Sequence, residues 1–600
     1  MNHLGGNKMI KKRFKKITAI ALVVAMTLSM AGCEKNRNSA SAKKEQEKFD
    51  TYLQESFEES VTEDTVTLHY TLAHPENYGI TMDEVTLGDF DVSDEAVAKD
   101  TQEIKDEMAE LKEFNYELLT DDQQLTYDIL VDLLETNLLS YENPYLYEPF
   151  AYTSGLQSNL PITMSEYTFY DEDDVKDYLA LLNLLPDYYQ KCLDFEKVKS
   201  EKGFFMSDKS ADEVIRQCQE YIADPENNLL IATFNDRIGD VPGMTPEKIE
   251  DYKKQNQDAV MNSVIPSYEN VIDTFTSLKG TGTNDMGLVH FDGGKAYYEY
   301  LLKSKVGTDK TPDEIIEKLD TEIEEVMGEM YALAMINYEG YMGYMEDYEN
   351  LYGDLDTEET IRYFEEMCVD KFPDIPEINF TVSPVHESLE GIVSPAFYMT
   401  PPMDDYENNS IYINEGSDSA GGLWSTLAHE GIPGHMYQFV YFLSNDPEPI
   451  RTLLSFNGYQ EGWATYVELM SYGYYDKYAD ESYGDIEAIN TKLNLLVSAR
   501  IEIGVNYEGW SLDETADYMN TSGFDGSAAG DIYDYVVAEP GNYQMYVMGW
   551  LEFEELREYA EKELGDKFNE VEFHKVVLDA GPCQFYILED IVEEYVKEKK

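Results

Sequence analysis

Apolar residues recur at steps of three and four along most of the chain, the period of an amphipathic α-helix. Ile104, Met108, Leu111 and Phe114 form one such series. Capping boxes at Thr120–Gln123 and Thr311–Glu314 mark helix starts, the second with Pro312 at the first helical position. The pattern predicts a mainly α-helical protein.

Strand patterns are rare. The best is the segment 410–414, Ser-Ile-Tyr-Ile-Asn, which is rich in β-forming residues and flanked by Asn and Gly. It predicts a small β-sheet next to the segment that carries the candidate chemistry described below. An exposed edge of this strand would be able to pair with an extended peptide.

The first 32 residues have the organisation of a secretory leader. A basic stretch at 11–16 precedes an apolar run at 17–30, and Ala31-Gly32-Cys33 follows. This order resembles a bacterial lipoprotein signal, which predicts cleavage before Cys33, a lipid on Cys33 and an extracytoplasmic protein held on the outer face of the membrane. An ordinary signal peptide followed by a chance cysteine is the alternative.

Composition then divides the rest of the chain. Residues 33–48 are polar and predict a solvated tether. Residues 49–600 are long enough for a large core, and we predict an N-terminal helical lobe at about 49–285 and a C-terminal catalytic lobe at about 286–600. The loose polar stretch at 280–287 is the predicted boundary.

The net charge of −76, from 120 acidic and 44 basic residues, excludes nucleic acid as a partner. It also excludes electrostatic adhesion to anionic lipid, so that membrane attachment would depend on the acyl chains. A solvated acidic surface that keeps the protein soluble explains the charge, and a surface that recruits cationic substrates is the alternative.

Two of the eight histidines lie close together, in His429-Glu430-Gly431-Ile432-Pro433-Gly434-His435. Neutral imidazoles bind Zn²⁺, and a carboxylate beside one of them is placed to act as general base in amide hydrolysis. We therefore predict His429 and His435 as zinc ligands and Glu430 as the base, which would afterwards protonate the leaving amine.

The third ligand is predicted from Gln460-Glu461-Gly462-Trp463-Ala464-Thr465-Tyr466-Val467-Glu468. An acid on an otherwise apolar, aromatic helix needs a partner, because burying a bare carboxylate is costly. Glu461 is the predicted metal ligand. Glu468, two turns further along, is predicted to orient one of the histidines from behind.

The histidines are six residues apart, whereas two ligands on one face of a helix are usually four apart. On a regular helix the sixth residue points about 120° away from the first. Pro433 and Gly434 predict that the helix is interrupted at 432–434 and that His435 begins a new turn directed back at the metal. A regular, kinked helix with His435 facing away is the alternative.

These motifs, in this order, resemble a bacterial family designated domain of unknown function 885, over most of the chain. The resemblance is carried by Gly294-Lys295-Ala296-Tyr297-Tyr298 with Gly307 and Thr311-Pro312, the His-Glu-x-x-Pro-Gly-His core, Glu461-Gly462-Trp463-Ala464-x-Tyr466-x-Glu468, Arg500 with Gly504 and Gly509-Trp510, Pro540-Gly541 with Tyr546 and Gly549, and Phe573-His574 with Gly581-Pro582. The family is grouped with zincin-like peptidases such as thimet oligopeptidase and angiotensin-converting enzyme.

The resemblance implies a helical zincin-like fold around a deep channel. Tyr546 and Arg500 match family motif positions that we place at this channel. Tyr546 would stabilise the oxyanion of the reaction and Arg500 would hold a substrate carboxylate. The alternatives are a groove aromatic for Tyr546 and a helix-packing ion pair for Arg500.

The sequence thus predicts a lipid-anchored zinc metallopeptidase that hydrolyses short extracellular peptides, since a narrow channel excludes folded proteins. A non-catalytic lipoprotein that captures peptides or another solute is one alternative. A zinc hydrolase of a non-peptide amide is another. The complete set of ligands and base favours an enzyme.

Overall fold

A computed structural model describes residues 37–600 apart from 153, 349–350, 353–354, 387–393 and 417–422. The leader and Cys33 lie outside the described residues. Within them the protein is mainly helical with one small three-stranded sheet, as predicted. No helix among the described residues is long and apolar enough to cross a membrane.

The helices of the first half are α1 Ala40–Val61, α2 Thr65–Thr71, α3 Asp94–Leu111, α4 Asp121–Ser140, α5 Leu156–Ser165, α6 Glu172–Lys202, α7 Asp208–Tyr221, α8 Leu229–Arg237, α9 Pro246–Ala259, α10 Ile265–Leu278 and α11 Gly294–Leu301. Both predicted capping boxes are present, at the start of α4 and of α12 (Pro312–Ile336). Wider π-helical turns occupy Val260–Val264, Leu302–Val306 and Gly504–Glu508.

The remaining elements are α13 Tyr338–Asp347, α14 Thr357–Cys368, β1 Asn379–Pro384, β2 Ala396–Met399, β3 Asn408–Ile413, α15 Leu423–Glu430, α16 His435–Ser444, α17 Asn457–Ser471, α18 Tyr483–Ile503, α19 Leu512–Thr521, α20 Ala529–Ala538, α21 Asn542–Leu564, α22 Glu570–Ala580 and α23 Phe585–Lys599.

The tether prediction is wrong for residues 40–48. These residues form the first turns of α1, which Ser39 caps through its hydroxyl, and Ala42 is fully buried. The polar residues that suggested a tether occupy the outer face of a helix that packs through Ala42, Phe49 and Leu53.

The predicted strand is β3, but it lies in the middle of the sheet. It pairs in parallel with β1 and antiparallel with β2. Both of its edges are therefore used within the protein, and the predicted pairing of this strand with a peptide is wrong. β2 is an edge strand and contacts α15, so the sheet does lie beside the candidate site.

The buried apolar residues form two cores. One joins α5–α10 with Val66 and Leu87. The other joins α1, α3 and α4 with the elements from residue 288 onward. The early helices thus pack with the C-terminal half, whereas the division into lobes at about residue 285 stays a prediction. The most extensive helix–helix contacts within the second core are those of α17 with α21 and of α12 with α18.

Candidate metal centre

The helix that carries His429 stops one residue later. α15 ends at Glu430, and a new helix begins at His435. Gly434 donates its N–H to Ala428 O at 3.0 Å, and a Cβ on Gly434 would lie 1.8 Å from His429 O. Only glycine therefore fits where the chain turns back over α15. The predicted interruption at 432–434 is confirmed.

This turn brings the two histidines together. The imidazole centroids of His429 and His435 are 4.8 Å apart with the rings nearly perpendicular. Ligand atoms of His429, Glu430 and His435 all lie within 4.8 Å of one another. The separation satisfies the limit of about 5 Å for two imidazole nitrogens that share one zinc ion.

Glu461, on α17, completes the cluster. Its Oε2 lies 3.4 Å from Nε2 of His429 and 3.4 Å from Nε2 of His435. Ligands on tetrahedral zinc, with bonds of 2.0–2.1 Å, are about 3.3–3.4 Å from one another. Glu461 Oε2 is therefore as far from each imidazole nitrogen as two ligands of one zinc ion are from each other.

Two carboxylates thus compete for the third ligand position, Glu430 and Glu461. Glu430 Oε2 accepts the backbone N–H of Tyr398 on β2 at 2.9 Å, which holds Glu430 toward the sheet. Glu461 has the equal short distances to both imidazoles. Glu461 is therefore better placed than Glu430 to be a third ligand of an ion held by the two histidines.

Glu468 supports His429 from behind, as predicted. Its Oε2 lies 3.0 Å from His429 Nδ1, and its Oε1 accepts the hydroxyl of Ser425 at 3.1 Å. A carboxylate at Nδ1 fixes the tautomer that leaves Nε2 free to bind a metal. Ser425 and the Tyr398 N–H were not predicted, because a serine one turn before a ligand and a main-chain donor leave no distinctive pattern.

The electrostatics favour a cation. Burial alone would lower the pKa of His429, but hydrogen bonds to Glu461 and Glu468 raise it well above its usual value. Burial alone would raise the pKa of Glu461, but His435 and His429 lower it. For Glu430, burial raises the pKa and the two histidines only partly offset it. The three carboxylates therefore stabilise positive charge at the two imidazoles.

The structure places Tyr546 at this cluster. Its ring stacks on His429 with centroids 6.3 Å apart. The charge of Glu461, followed by burial, raises the pKa of Tyr546 well above its usual value, so the hydroxyl keeps its proton. Tyr546 therefore offers a hydrogen-bond donor beside the metal ligands.

Arg500 has the contacts of the packing alternative. Its guanidinium donates to Asp320 at 2.8 Å and to Glu508 at 2.7 Å, and it lies 4.7 Å from the ring centroid of Trp510. The side chain is 8% exposed. Because two edges of the guanidinium are already paired, these contacts give no support to its prediction as a substrate-binding residue.

His574 is likewise structural. It is fully buried, with Nδ1 bonded to Lys371 O at 2.7 Å and Nε2 to the Tyr466 hydroxyl at 2.9 Å. Burial lowers its pKa to about 4.

The fold and the site thus define a class of mainly helical proteins in which a His-Glu cluster lies beside a small three-stranded sheet. The family model "Bacterial protein of unknown function (DUF885)" matches residues 77–592, and the chain belongs to this family. No curated protein matches the chain.

Two solved structures share the fold. One is described as "the putative lipoprotein from Colwellia psychrerythraea" and is 19% identical, with a TM-score of 0.80, covering 92% of this chain and 100% of that one. The other is described as "a putative lipoprotein of unknown function from Shewanella oneidensis" and is 16% identical, with a TM-score of 0.61, covering 92% and 99%.

Proposed function

We propose that this protein is a zinc-dependent peptidase of the zincin-like group. The observation that carries the proposal is the position of Glu461 Oε2, 3.4 Å from Nε2 of both His429 and His435. These three residues would hold the ion. A bound Zn²⁺ supplies Lewis acidity toward water and toward a carbonyl oxygen.

The proton transfers fall to Glu430. The Tyr398 N–H holds one of its oxygens, which leaves the other to take a proton from the attacking water. Burial raises the pKa of Glu430, which favours the protonated form that the second step needs. Glu430 can then give this proton to the leaving amine.

Tyr546 would stabilise the negative charge that develops on the carbonyl oxygen. Its hydroxyl keeps its proton because its pKa is raised by Glu461, and a fixed donor aimed at a developing oxyanion is worth several kcal/mol of barrier. The Glu468–His429 hydrogen bond keeps the imidazole in one orientation throughout.

Short peptides are the proposed substrates. The cluster lies within a helical body, and Gln460, the residue before Glu461, is in the wall of a cavity of about 430 Å³. We take this cavity to be the inner part of the predicted channel. A catalytically silent peptide-binding protein would need neither the held base nor the spaced ligands, so the complete set favours an enzyme.

We further propose that Cys33 carries a lipid that holds the enzyme on the outer face of the membrane. The support is the leader that ends at Ala31-Gly32-Cys33. Cys33→Ala should release the protein into the medium, which fractionation of cells measures. Retention of the variant on the membrane at wild-type levels would place the anchor elsewhere.

A peptide library tests the activity. The purified protein should hold about one zinc ion per chain and cleave short peptides, and a chelator should abolish cleavage. His435→Ala should lose the zinc, whereas His74→Ala, at an exposed histidine far along the chain from the cluster, should retain it. Peptides that bind without being cleaved, with zinc in place, would support the binding-protein alternative instead.

A further inference from the structure

Large apolar side chains are exposed in a cluster where α12 ends and α13 begins. Among the described residues, six of the thirteen large apolar side chains that are exposed fall within residues 331–345, and Met335 and Ile336 are 86% and 87% exposed. We call this surface the Met-Tyr patch; its members are Tyr331, Met335, Ile336, Tyr338, Met342 and Met345. Single exposed apolar residues are ordinary on a protein surface, whereas a contiguous cluster marks a site of interaction.

The packing of α13 is the reverse of that of an ordinary surface helix. A Cβ on Gly343 would lie 2.6 Å from the hydroxyl of Tyr483 at the start of α18, so a small residue stands where the two helices meet. The buried Tyr344 donates its hydroxyl to Glu487 of α18. The patch residues of α13, at helical spacings of three and four, lie on the opposite face. Its methionines are therefore exposed although the helix is packed against α18.

A single residue, Asn337, separates α12 from α13. Its amide group donates to Asp480 and to Ser482, both at 3.1 Å, which holds the junction against the rest of the protein. Ile336 directly precedes this residue and Tyr338 directly follows it. The exposed side chains of the two helices therefore adjoin and form one surface.

Negative charge surrounds the patch. The sequence has thirteen acidic residues and no Lys or Arg between Lys318 and Arg362. Among the exposed acids, Glu324 lies on the face of α12 that carries the patch, and Glu339 and Glu346 flank the patch on α13. The two cations that bound this stretch are paired with other carboxylates, and none of the three acids forms an ion pair within the described part of the chain.

The charge of the patch decides which partner fits it. A second copy of this chain carries the same negative charge on the same surface, so two patches brought together would repel each other. An anionic bilayer would repel the patch for the same reason. A peptide with an apolar face and Lys or Arg beside that face matches both features, because methionine side chains adapt to varied apolar surfaces and tyrosine rings attract ammonium groups.

We propose that the Met-Tyr patch is a docking site for cationic amphipathic peptides. The apolar face of such a peptide would cover the methionines, and its cations would pair with the three exposed carboxylates. Docking here requires neither the metal ion nor cleavage, so the proposal goes beyond the peptidase function and does not depend on it. The acidic surface then has a role in recruiting a ligand in addition to keeping the protein soluble.

Fluorescence anisotropy with two matched peptides tests the proposal. The probes are fluorescein-labelled LKKLLKLLKKLLKL and LEELLELLEELLEL, which have the same apolar face and opposite charge. They are titrated into the full-length chain with Cys33→Ala, which carries no lipid at that position and is studied without detergent. Glu430→Gln is added so that no probe is cleaved. The lysine peptide should bind at least about 10-fold more tightly than the glutamate peptide, since like charges would face each other in the second complex.

Variants of exposed residues locate the binding. Met335→Ser together with Ile336→Ser should weaken binding of the lysine peptide by about 10-fold or more. Glu339→Gln together with Glu346→Gln should reduce the preference for the lysine peptide. Met261→Ser is the matched control, because Met261 is exposed on the turn between α9 and α10, which belong to the other core; it should bind like the wild type. Unchanged thermal unfolding verifies the fold of each variant.

Four results would overturn the proposal. The first is no binding of the lysine peptide or equal binding of both peptides, and the second is a loss that Met261→Ser shares. The third is a dimer in sedimentation that Met335→Ser with Ile336→Ser separates, which would assign the patch to a second copy. The fourth is flotation with phosphatidylcholine vesicles that the same variant abolishes, which would assign the patch to the membrane. Zinc content and peptide cleavage are separate measurements, so a failure of docking leaves the peptidase proposal unaffected.

Discussion

Gly462 of α17 lies directly against Gly549 of α21. A Cβ on Gly462 would be 2.3 Å from the carbonyl carbon of Gly549, and a Cβ on Gly549 would be 2.1 Å from Gly458 O. The two helices therefore touch backbone to backbone. Glu461 directly precedes the contact on one helix and Tyr546 lies one turn before it on the other, so this contact sets the distance between the proposed ligand and the proposed oxyanion donor.

We predict that Gly462→Ala lowers the free energy of unfolding by about 1–3 kcal/mol, the usual cost of overpacking. It should also reduce turnover, because α21 would move away with Tyr546. Denaturant unfolding and peptide kinetics measure the two effects. Gly328→Ala in the middle of α12, where a Cβ meets nothing within 4 Å, should instead stabilise by up to about 1 kcal/mol. If the two variants were equally stable, α17 and α21 would be able to separate enough for the extra methyl group without a loss of stability.

Glu430→Gln should abolish hydrolysis while zinc content stays at the wild-type level. The amide oxygen can still accept the Tyr398 N–H, but it cannot take a proton from water. General-base catalysis contributes about 10²–10⁴-fold, so turnover should fall by at least 10²-fold. Glu407→Gln, at an exposed residue before β3, should turn over normally. Activity above a tenth of wild type in Glu430→Gln would remove Glu430 from the role of base.

Glu468→Gln should weaken zinc binding by about 10- to 100-fold, the usual effect of losing a carboxylate behind a histidine ligand. The reason is the 3.0 Å contact with His429 Nδ1, which fixes the ring. Competition with a fluorescent chelator measures the affinity. Ser425→Ala, which removes only the hydroxyl that supports Glu468, should have a smaller effect. An unchanged zinc affinity in Glu468→Gln would mean that packing alone orients the ring.

His574 should make the protein less stable in acid. Its pKa is about 4 in the folded chain because burial disfavours the charged ring, against an ordinary value of 6.5. Between these values the unfolded chain binds the extra proton, so stability falls as pH decreases from 6.5 toward 4. At pH 4 this proton uptake lowers the free energy of unfolding by about 3 kcal/mol, and the loss disappears well above pH 6.5.

His574→Asn tests this linkage. Asparagine can still donate to Lys371 O but does not titrate, so unfolding free energies measured from pH 7 to 4 should decline less steeply than in the wild type. If His574→Asn and the wild type lose stability in parallel, the proton uptake on unfolding belongs to other groups.

The features that depend on neighbouring residues could be predicted well from the sequence. The capping boxes of α4 and α12, the strand β3 and the break between Glu430 and His435 follow from neighbouring residues, and all are present. The Glu468–His429 contact also followed, because helical spacing places Glu468 on the face of Glu461.

Contacts between residues that are far apart in the chain could not be predicted from the sequence. Arg500 meets Asp320 across 180 residues of chain, and nothing near either residue indicates the other. The burial of Ala42 depends on what packs against α1, so a polar stretch resembled a tether. The central position of β3 depends on β1 and β2, whose short, weakly patterned segments gave no signal of their own.

The hydrogen bond from β2 to Glu430 comes from the main chain of Tyr398. Every amino acid except proline supplies that N–H, so this contact places no constraint on which other side chain stands at position 398. Homologous strands can therefore diverge in sequence while their backbone still donates a hydrogen bond to the carboxylate. In an alignment, position 398 would then be variable. Only a comparison of backbone structures would show that the hydrogen bond to the carboxylate is retained.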